Sequence, residues 1–317
     1  MPALAPPYEE IADLLAQGQV IPVLGAGASL SERGDQVWDG DRPACLPTAA
    51  ELGRYLAARV SFPPDEAATD LAKVAQYFNI VVGRLRLRQR LHTVFAADFA
   101  PASIHHLLAR IEAPMLLITT NYDDLLEQAF RSQGRAFDLV IHPTDNNEEW
   151  GAAVAYWRHG AATPEFVSPK RLQIDLSSTT VIYKMHGSID RQELQREAYV
   201  ITEDDYAEFL VRMAKQTAIP AIFAELFGRR HFLFLGYSLS DWNFRVILSK
   251  IERDLPRTAR EELPSWSIQQ RPSQLEQELW ERRGVTIYDL PIKAFVEELE
   301  RVLERDHGVV PPGPVSV

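Results

Sequence analysis

Cysteine is almost missing from the 317-residue chain: Cys45 is the only one. A single thiol excludes an intramolecular disulfide framework and any multi-cysteine zinc site. Basic residues are also in deficit, with 33 Lys and Arg against 44 Asp and Glu and a net charge of −11. A general nucleic-acid binder needs a cationic excess facing phosphate, so direct nucleic-acid binding is not expected. Apolar runs stay far below the ~20 residues that a transmembrane helix requires. The first residues, Met1 to Glu10, lack the basic and apolar regions of a secretory signal, so a cytoplasmic location and no membrane contact are expected. What is present is the composition of a globular protein, 46% hydrophobic and 24% charged.

Apolar runs of strand length recur between helical patterns. Strands are expected at Val20–Leu24, Met115–Thr119, Phe137–Ile141, Val181–Met185, Phe232–Leu235 and Thr286–Tyr288. These runs do not alternate polar with apolar, which is the pattern of a parallel sheet covered on both faces. Helices are expected at Glu9–Gln17, Ala49 to Arg59, Ser103 to Ile111, Asp123–Gln133, Asp204–Met213, Ile219–Phe227, Asp241–Glu252, Pro272–Arg282 and Ile292–Glu304. Thr48 with Glu51 three residues on has the form of a capping box. The alternation predicts an α/β fold, a Rossmann-like doubly wound parallel sheet. Residues 61–100, nearly all helical, and 142–180, rich in Pro, Asn, Trp and Gly, interrupt it. Both are expected to form a smaller, mostly helical inserted lobe. On this reading residues 1–306 form one nucleotide-binding domain, and 307–317 are a loose tail. No second sensor domain is expected within 317 residues.

Ligands of such sheets bind at the carboxyl ends of strands, and four motifs stand there. The first, Gly25-Ala26-Gly27-Ala28-Ser29, has few bulky side chains, so its backbone N–H groups can approach a pyrophosphate. It fails the full dinucleotide fingerprint because Leu30 takes the third glycine position. A turn serving backbone geometry alone is the other reading. The second, Thr119-Thr120-Asn121-Tyr122-Asp123-Asp124, presents polar side chains after a strand. Helix capping accounts equally well for Asp123 or Asp124, but less well for Asn121. The third, Lys184-Met185-His186-Gly187-Ser188, offers a histidine, the usual general base near neutral pH. The fourth, Gly236-Tyr237-Ser238-Leu239-Ser240-Asp241, joins a strand to a helix, with Ser240 or Asp241 also suited to capping.

In this order the motifs resemble the Sir2, or sirtuin-like, NAD-binding fold over about Val20 to Asp241. The nearer likeness is to the SIR2-like NAD-hydrolysing domain proteins of bacterial anti-phage defence. The resemblance implies that Gly25, Ala26, Gly27 and Ser29 hold the pyrophosphate and neighbouring ribose of NAD+. Thr120 joins this cofactor-binding set. Gly236, Ser238 and Asp241 would contact the adenosine half. Asn121, Asp123 and His186 would be the catalytic residues. Deacylating sirtuins carry four zinc cysteines and usually have Gln and Ile where Thr120 and Tyr122 stand. Their absence shifts the expectation from deacylation to NAD+ hydrolysis, with NAD+ as substrate and no metal.

Nicotinamide is cationic in NAD+ and leaves neutral, so no general acid is required. The transition state resembles an oxocarbenium ion. Asn121 would orient the ribose hydroxyls and a water, His186 would accept a proton, and Asp123 would bind the nicotinamide amide or support the cation. Attack by water yields ADP-ribose, and internal attack yields a cyclic product. Destroying NAD+ is costly to a cell, so an abortive-infection effector gated by assembly is expected: a homo-oligomer, or a complex with a partner such as a HerA-type ATPase or short Argonaute. An NAD-dependent deacylase and a non-catalytic NAD or ADP-ribose-binding module are the alternatives.

Other features read as structural. Arg84, Arg86, Arg88 and Arg90 suit a solvated or acid-paired surface. His105 and His106 have no metal-ligand partners at suitable spacing. Trp150, Tyr156 and Trp157 suit the inserted lobe's core. Glu203, Asp204 and Asp205 suit a helix N-terminus.

Overall fold

The computed structural model describes residues 5–41, 43–142, 153–215, 217–237 and 263–309. Its strands are β1 (Val20–Leu24), β2 (Leu116–Thr119), β3 (Asp138–Ile141), β4 (Val154–Trp157), β5 (Glu165–Val167), β6 (Val181–Lys184), β7 (Gly187–Ser188), β8 (Ala198–Tyr199), β9 (His231–Leu235), β10 (Ser265–Gln269) and β11 (Val285–Asp289). The helices begin with α1 (Tyr8–Ala16), α2 (Ala26–Ser29), α3 (Ala49–Ala57), α4 (Leu71–Val82), α5 (Arg84–Phe95) and α6 (Ser103–Arg110). They continue with α7 (Leu125–Ser132), α8 (Glu203–Ala214), α9 (Ala221–Phe227), α10 (Gln274–Glu281) and α11 (Ile292–His307).

The main sheet has nine strands in the order β11-β10-β9-β1-β2-β6-β3-β4-β5. Pairing is parallel from β11 through β3 and antiparallel for β4 and β5. Every residue of β1, β2 and β6 is buried, and all but Thr119 and Lys184 at the strand ends are apolar, as burial on both faces requires. One face packs Leu117, Ile182, Leu233 and Ile268 against α1, α6, α7 and α11 through Leu15, Leu108, Phe130 and Phe295. The other packs Ile118, Tyr183 and Phe234 against α8, α9 and α10 through Phe209, Phe223 and Trp280. Helices on both faces make the sheet doubly wound, as the alternation predicts.

A separate apolar cluster joins α3, α4 and α5 through Leu56, Val74, Phe78, Leu87 and Leu91, and reaches Tyr199 and Ile201. The α3 terminus forms the expected capping box: Thr48 Oγ1 accepts from the Glu51 N–H at 3.2 Å, and the Glu51 carboxylate accepts from the Thr48 N–H at 2.8 Å. Gly83, at φ +88°, breaks the long helical stretch into α4 and α5. The stretch 142–180 departs from the expected helical lobe. Its described part supplies β4 and β5, which extend the main sheet through β3. Tyr156 accordingly lies in the sheet's own core, where its hydroxyl donates to Asp138 at 2.6 Å. Trp150 lies outside the described residues. On α5, Arg84 pairs with Asp205 at 2.8 Å and Arg86 and Arg90 are exposed, as an acid-paired or solvated surface predicts, whereas Arg88 is half-buried and burial lowers its pKa. No helix among the described residues is long and apolar enough to cross a membrane.

Candidate active site

The four motifs leave four adjacent strands, β9, β1, β2 and β6, in the middle of the sheet. The parallel registers pair Leu235 with Leu24, Leu24 with Thr119, and Thr119 with Lys184. The four strands therefore end level, and the turns after them meet in one crevice. The chain proceeds from β1 outward through β2 and returns on the other side of β1 as β9, so this crevice is the topological switch point.

A cavity of about 420 Å³ opens there. Gly25, Ala26, Gly27, Ser29, Thr120, Asn121, Asp123, His186 and Gly236 all line it. Residues separated widely in sequence thus share one wall. Ser238, Asp241 and the helix expected at Asp241–Glu252 lie outside the described residues. The opposite wall is apolar and comes from the helical cluster, through Leu46, Leu52, Leu71 and Phe95. These four carry no signal in the sequence that separates them from core residues.

Asn121 is held from three sides. Its backbone N–H donates to Thr119 Oγ1 at 3.0 Å, and its Nδ2 donates to the Gly25 carbonyl at 3.0 Å and to Ser29 Oγ at 2.9 Å. A carbonyl only accepts, so the amide nitrogen must face Gly25, which fixes the amide's orientation. Both amide hydrogens are then used within the protein. The side chain can offer a ligand only its Oδ1, an acceptor.

Ser29 passes the chain of bonds onward, its hydroxyl donating to Asp123 Oδ2 at 3.0 Å. Asp123 Oδ1 accepts the Leu125 N–H at 3.2 Å at the start of α7, so the capping role is also real. Burial pushes the Asp123 carboxyl above its usual range, while the Lys184 ammonium and these two hydrogen bonds pull against that rise. Asp124 differs. Burial raises it too, but hydrogen bonds from Arg191 and Gln128 outweigh burial and hold it low. His186 is buried on the cavity wall, edge-on to the rings of Tyr206 at 5.9 Å and Phe209 at 5.5 Å between centroids. The Tyr237 hydroxyl donates to Thr120 Oγ1 at 3.0 Å and ties the fourth motif to the second.

The glycines of the first and fourth motifs serve one another. Gly236 has φ +66°, and a Cβ there would lie 2.2 Å from the Ala28 nitrogen. A Cβ on Gly27 would meet the Gly236 Cα at 2.8 Å. The Gly25 N–H donates to the Leu235 carbonyl and the Gly27 N–H to the Gly236 carbonyl, both at 3.0 Å. These two amides are committed to joining β1 to β9, so the turn's backbone geometry accounts for both glycines. They still line the cavity.

A larger cavity of about 740 Å³ lies beyond α7, between β3, β4 and residues 188–196. It holds none of the residues of the four motifs' expected catalytic set. Several of its arginines are already paired, Arg191 with Asp124 and Asp98, Arg158 with Glu165, and Arg196 with Glu193. Outside the crevice, His105 Nδ1 accepts the Ala102 N–H at 3.0 Å at the start of α6, a structural use. Among the described residues no group of three or more His, Cys, Asp or Glu could hold a metal ion.

Level strand ends and a glycine-rich first turn at the switch point define a doubly wound α/β fold with a crevice at its strand ends, and sequence comparison makes the class specific. Residues 115–288 match the SIR2-like domain, just over half of the chain. The chain belongs to the SIR2-like family. It is 30% identical over 220 residues to the NAD(+) hydrolase ThsA of Acinetobacter baumannii, covering 69% of this chain and 39% of that protein. The ThsA of Cytobacillus dafuensis is 30% identical over 186 residues, 59% of this chain and 31% of the relative. The defense-associated sirtuin 2 of Bacillus subtilis is 22% identical over 286 residues, 89% of this chain and 24% of the relative. The chain thus spans less than two fifths of the length of these curated relatives.

Proposed function

We propose that the protein is an NAD+ glycohydrolase, cleaving NAD+ to nicotinamide and ADP-ribose. The observation that carries this reading is the Asn121 side chain, whose Nδ2 is bonded to Gly25 and Ser29 so that it presents Oδ1 to a ligand, in the same crevice as His186 at the carboxyl ends of the central strands. Relatives named NAD(+) hydrolase support it.

An acceptor in that place recognises a hydroxyl. Asn121 Oδ1 receives a hydrogen bond from a ribose hydroxyl or from the attacking water, and holds its oxygen toward the sugar. The C1′–N bond breaks as the pyridinium takes its electrons and departs as neutral nicotinamide. The water oxygen bonds to C1′ and loses a proton, which His186 on the cavity wall accepts as general base. Asp123, as a carboxylate, stabilises the cationic sugar through the field of a buried negative charge. Asp123 binds no metal in this reading, and NAD+ is the substrate and not a resident cofactor.

The name defense-associated sirtuin, carried by one relative, supports a role in anti-phage defence. Control by self-assembly or by a partner protein completes the reading. The test is chromatographic release of nicotinamide and ADP-ribose from NAD+. Release that needs an acylated peptide would instead indicate a deacylase, and binding without release a non-catalytic module.

A further inference from the structure

Lys184 closes β6, two residues before His186, and is completely buried. An ammonium in that position is costly unless it is paired. Its Nζ donates to the main-chain carbonyl of Asp123 and to Glu127 Oε1, the latter at 2.9 Å. Glu127 stands on α7 and is equally enclosed, with 3% of its side chain exposed. Its Oε2 makes no hydrogen bond among the described residues. A buried pair with an unsatisfied oxygen adds little to stability, and apolar residues in its place often do as well. The pair does something that an apolar pair cannot. It fastens the loop after β2 to the strand that leads into His186, and it sets a full positive charge beneath that loop.

We propose that Lys184, oriented by Glu127, is a positioning residue of the site: it anchors the loop carrying Asn121 and Asp123 and provides the buried positive charge beside the Asp123 carboxylate. The inference rests on the reading of Asn121 and Asp123 as working residues of the crevice.

The surroundings of Asp123 contain few other charges. From α2 it meets the neutral Ser29 hydroxyl. From its own loop and α7 come Asp124, itself bound by Arg191, and Glu127. His186 lies on the same cavity wall. On α6, which packs against α7, stands His105, which burial chiefly lowers to about 4. Lys184 is the main charge opposing the effect of burial on Asp123. An opposite charge within a few ångströms lowers a carboxyl's pKa by about 1–3 units. Removing Lys184 therefore raises the pH at which Asp123 takes up a proton. Removing the negative charge of Glu127 leaves the ammonium less compensated and lowers it. A role in folding alone does not predict shifts of opposite sign.

The experiment is a direct titration of the Asp123 side-chain carboxyl by NMR on protein labelled with 13C at aspartate. The signal is identified by its loss in Asp123→Asn, and no ligand or turnover is needed. In Lys184→Met the midpoint is expected to rise by about one unit or more, and in Glu127→Gln to fall. Glu127→Gln is isosteric and still accepts from Lys184, so it carries the test alone if Lys184→Met does not fold. An unmoved midpoint, or shifts of the same sign, overturns the proposal. The acid limb of nicotinamide release should move with the titration. Opposite shifts in a protein that never releases nicotinamide would leave Lys184's role standing and remove the hydrolase reading.

Discussion

The Asn121 amide reaches the Asp123 carboxylate through a single hydroxyl: Asn121 Nδ2 donates to Ser29 Oγ at 2.9 Å, and Ser29 Oγ donates to Asp123 Oδ2 at 3.0 Å. Ser29 therefore holds two site residues in register and need not touch the ligand. Ser29→Ala removes the acceptor of one and the donor of the other. Turnover should fall about tenfold or more, with a smaller change in NAD+ affinity, because geometry is lost and the cavity lining is kept. Steady-state kinetics with a binding titration separate the two. A large loss of affinity at unchanged turnover would make Ser29 a ligand contact.

The join between the first and fourth motifs predicts an unequal cost for two glycines. Gly236→Ala must fit a Cβ at 2.2 Å from a backbone nitrogen at φ +66°, whereas Gly134, at φ +63°, has nothing within 4 Å of its Cβ position. Gly134→Ala should cost about 1–2 kcal/mol, the left-handed penalty alone. Gly236→Ala should cost clearly more, or prevent folding, because two backbones must separate. Denaturant unfolding of both variants checks this, and equal costs would contradict the packing.

Two buried histidines make stability fall in acid. Burial chiefly, with nearby cations, lowers His105 to about 4 and His142 to about 3. The unfolded chain binds their protons near pH 6.5, so between that pH and the folded values the unfolded state holds more protons. Their contribution is complete above about pH 6.5 and is lost as the pH falls toward 4, on the order of 3 kcal/mol for each. The urea midpoint of the wild type should drop from pH 7 to pH 5 more than that of His105→Gln, whose amide oxygen can still accept the Ala102 N–H. Equal drops would show that His105 is not the group responsible.

Much of this was legible before the structure. The expected strands match β1, β2, β3, β6, β9 and β11 within a residue, because each is a short, mainly apolar run without helical spacing. The Thr48 capping box is local chemistry and appears as written. Ser265–Gln269, which forms β10, has Ser265 and Ser267 alternating with Trp266 and Ile268 and so lacks the continuous apolar run of the other strands, although both serines are buried. The β4–β5 hairpin escaped because it borders a stretch rich in turn residues. In the site, polar residues after strands could be seen, but the bonds of Ser29, Lys184 and Tyr237 connect separate motifs and leave no trace in linear spacing. A lysine ending an apolar strand is the one hint of Lys184. The other reading of the first turn, backbone geometry, is present: its glycines pack against Gly236, a contact between two turns far apart in sequence that linear spacing does not reveal.

The central claim is that Asn121 and His186 act together on NAD+. Its most direct test is nicotinamide and ADP-ribose release from NAD+ by wild type, Asn121→Ala and His186→Ala at several protein concentrations, with unfolding midpoints measured alongside. The account predicts release by the wild type that rises steeply with concentration, and losses of about 100-fold or more in both folded variants. Undiminished release in both variants, with folding intact, would contradict it.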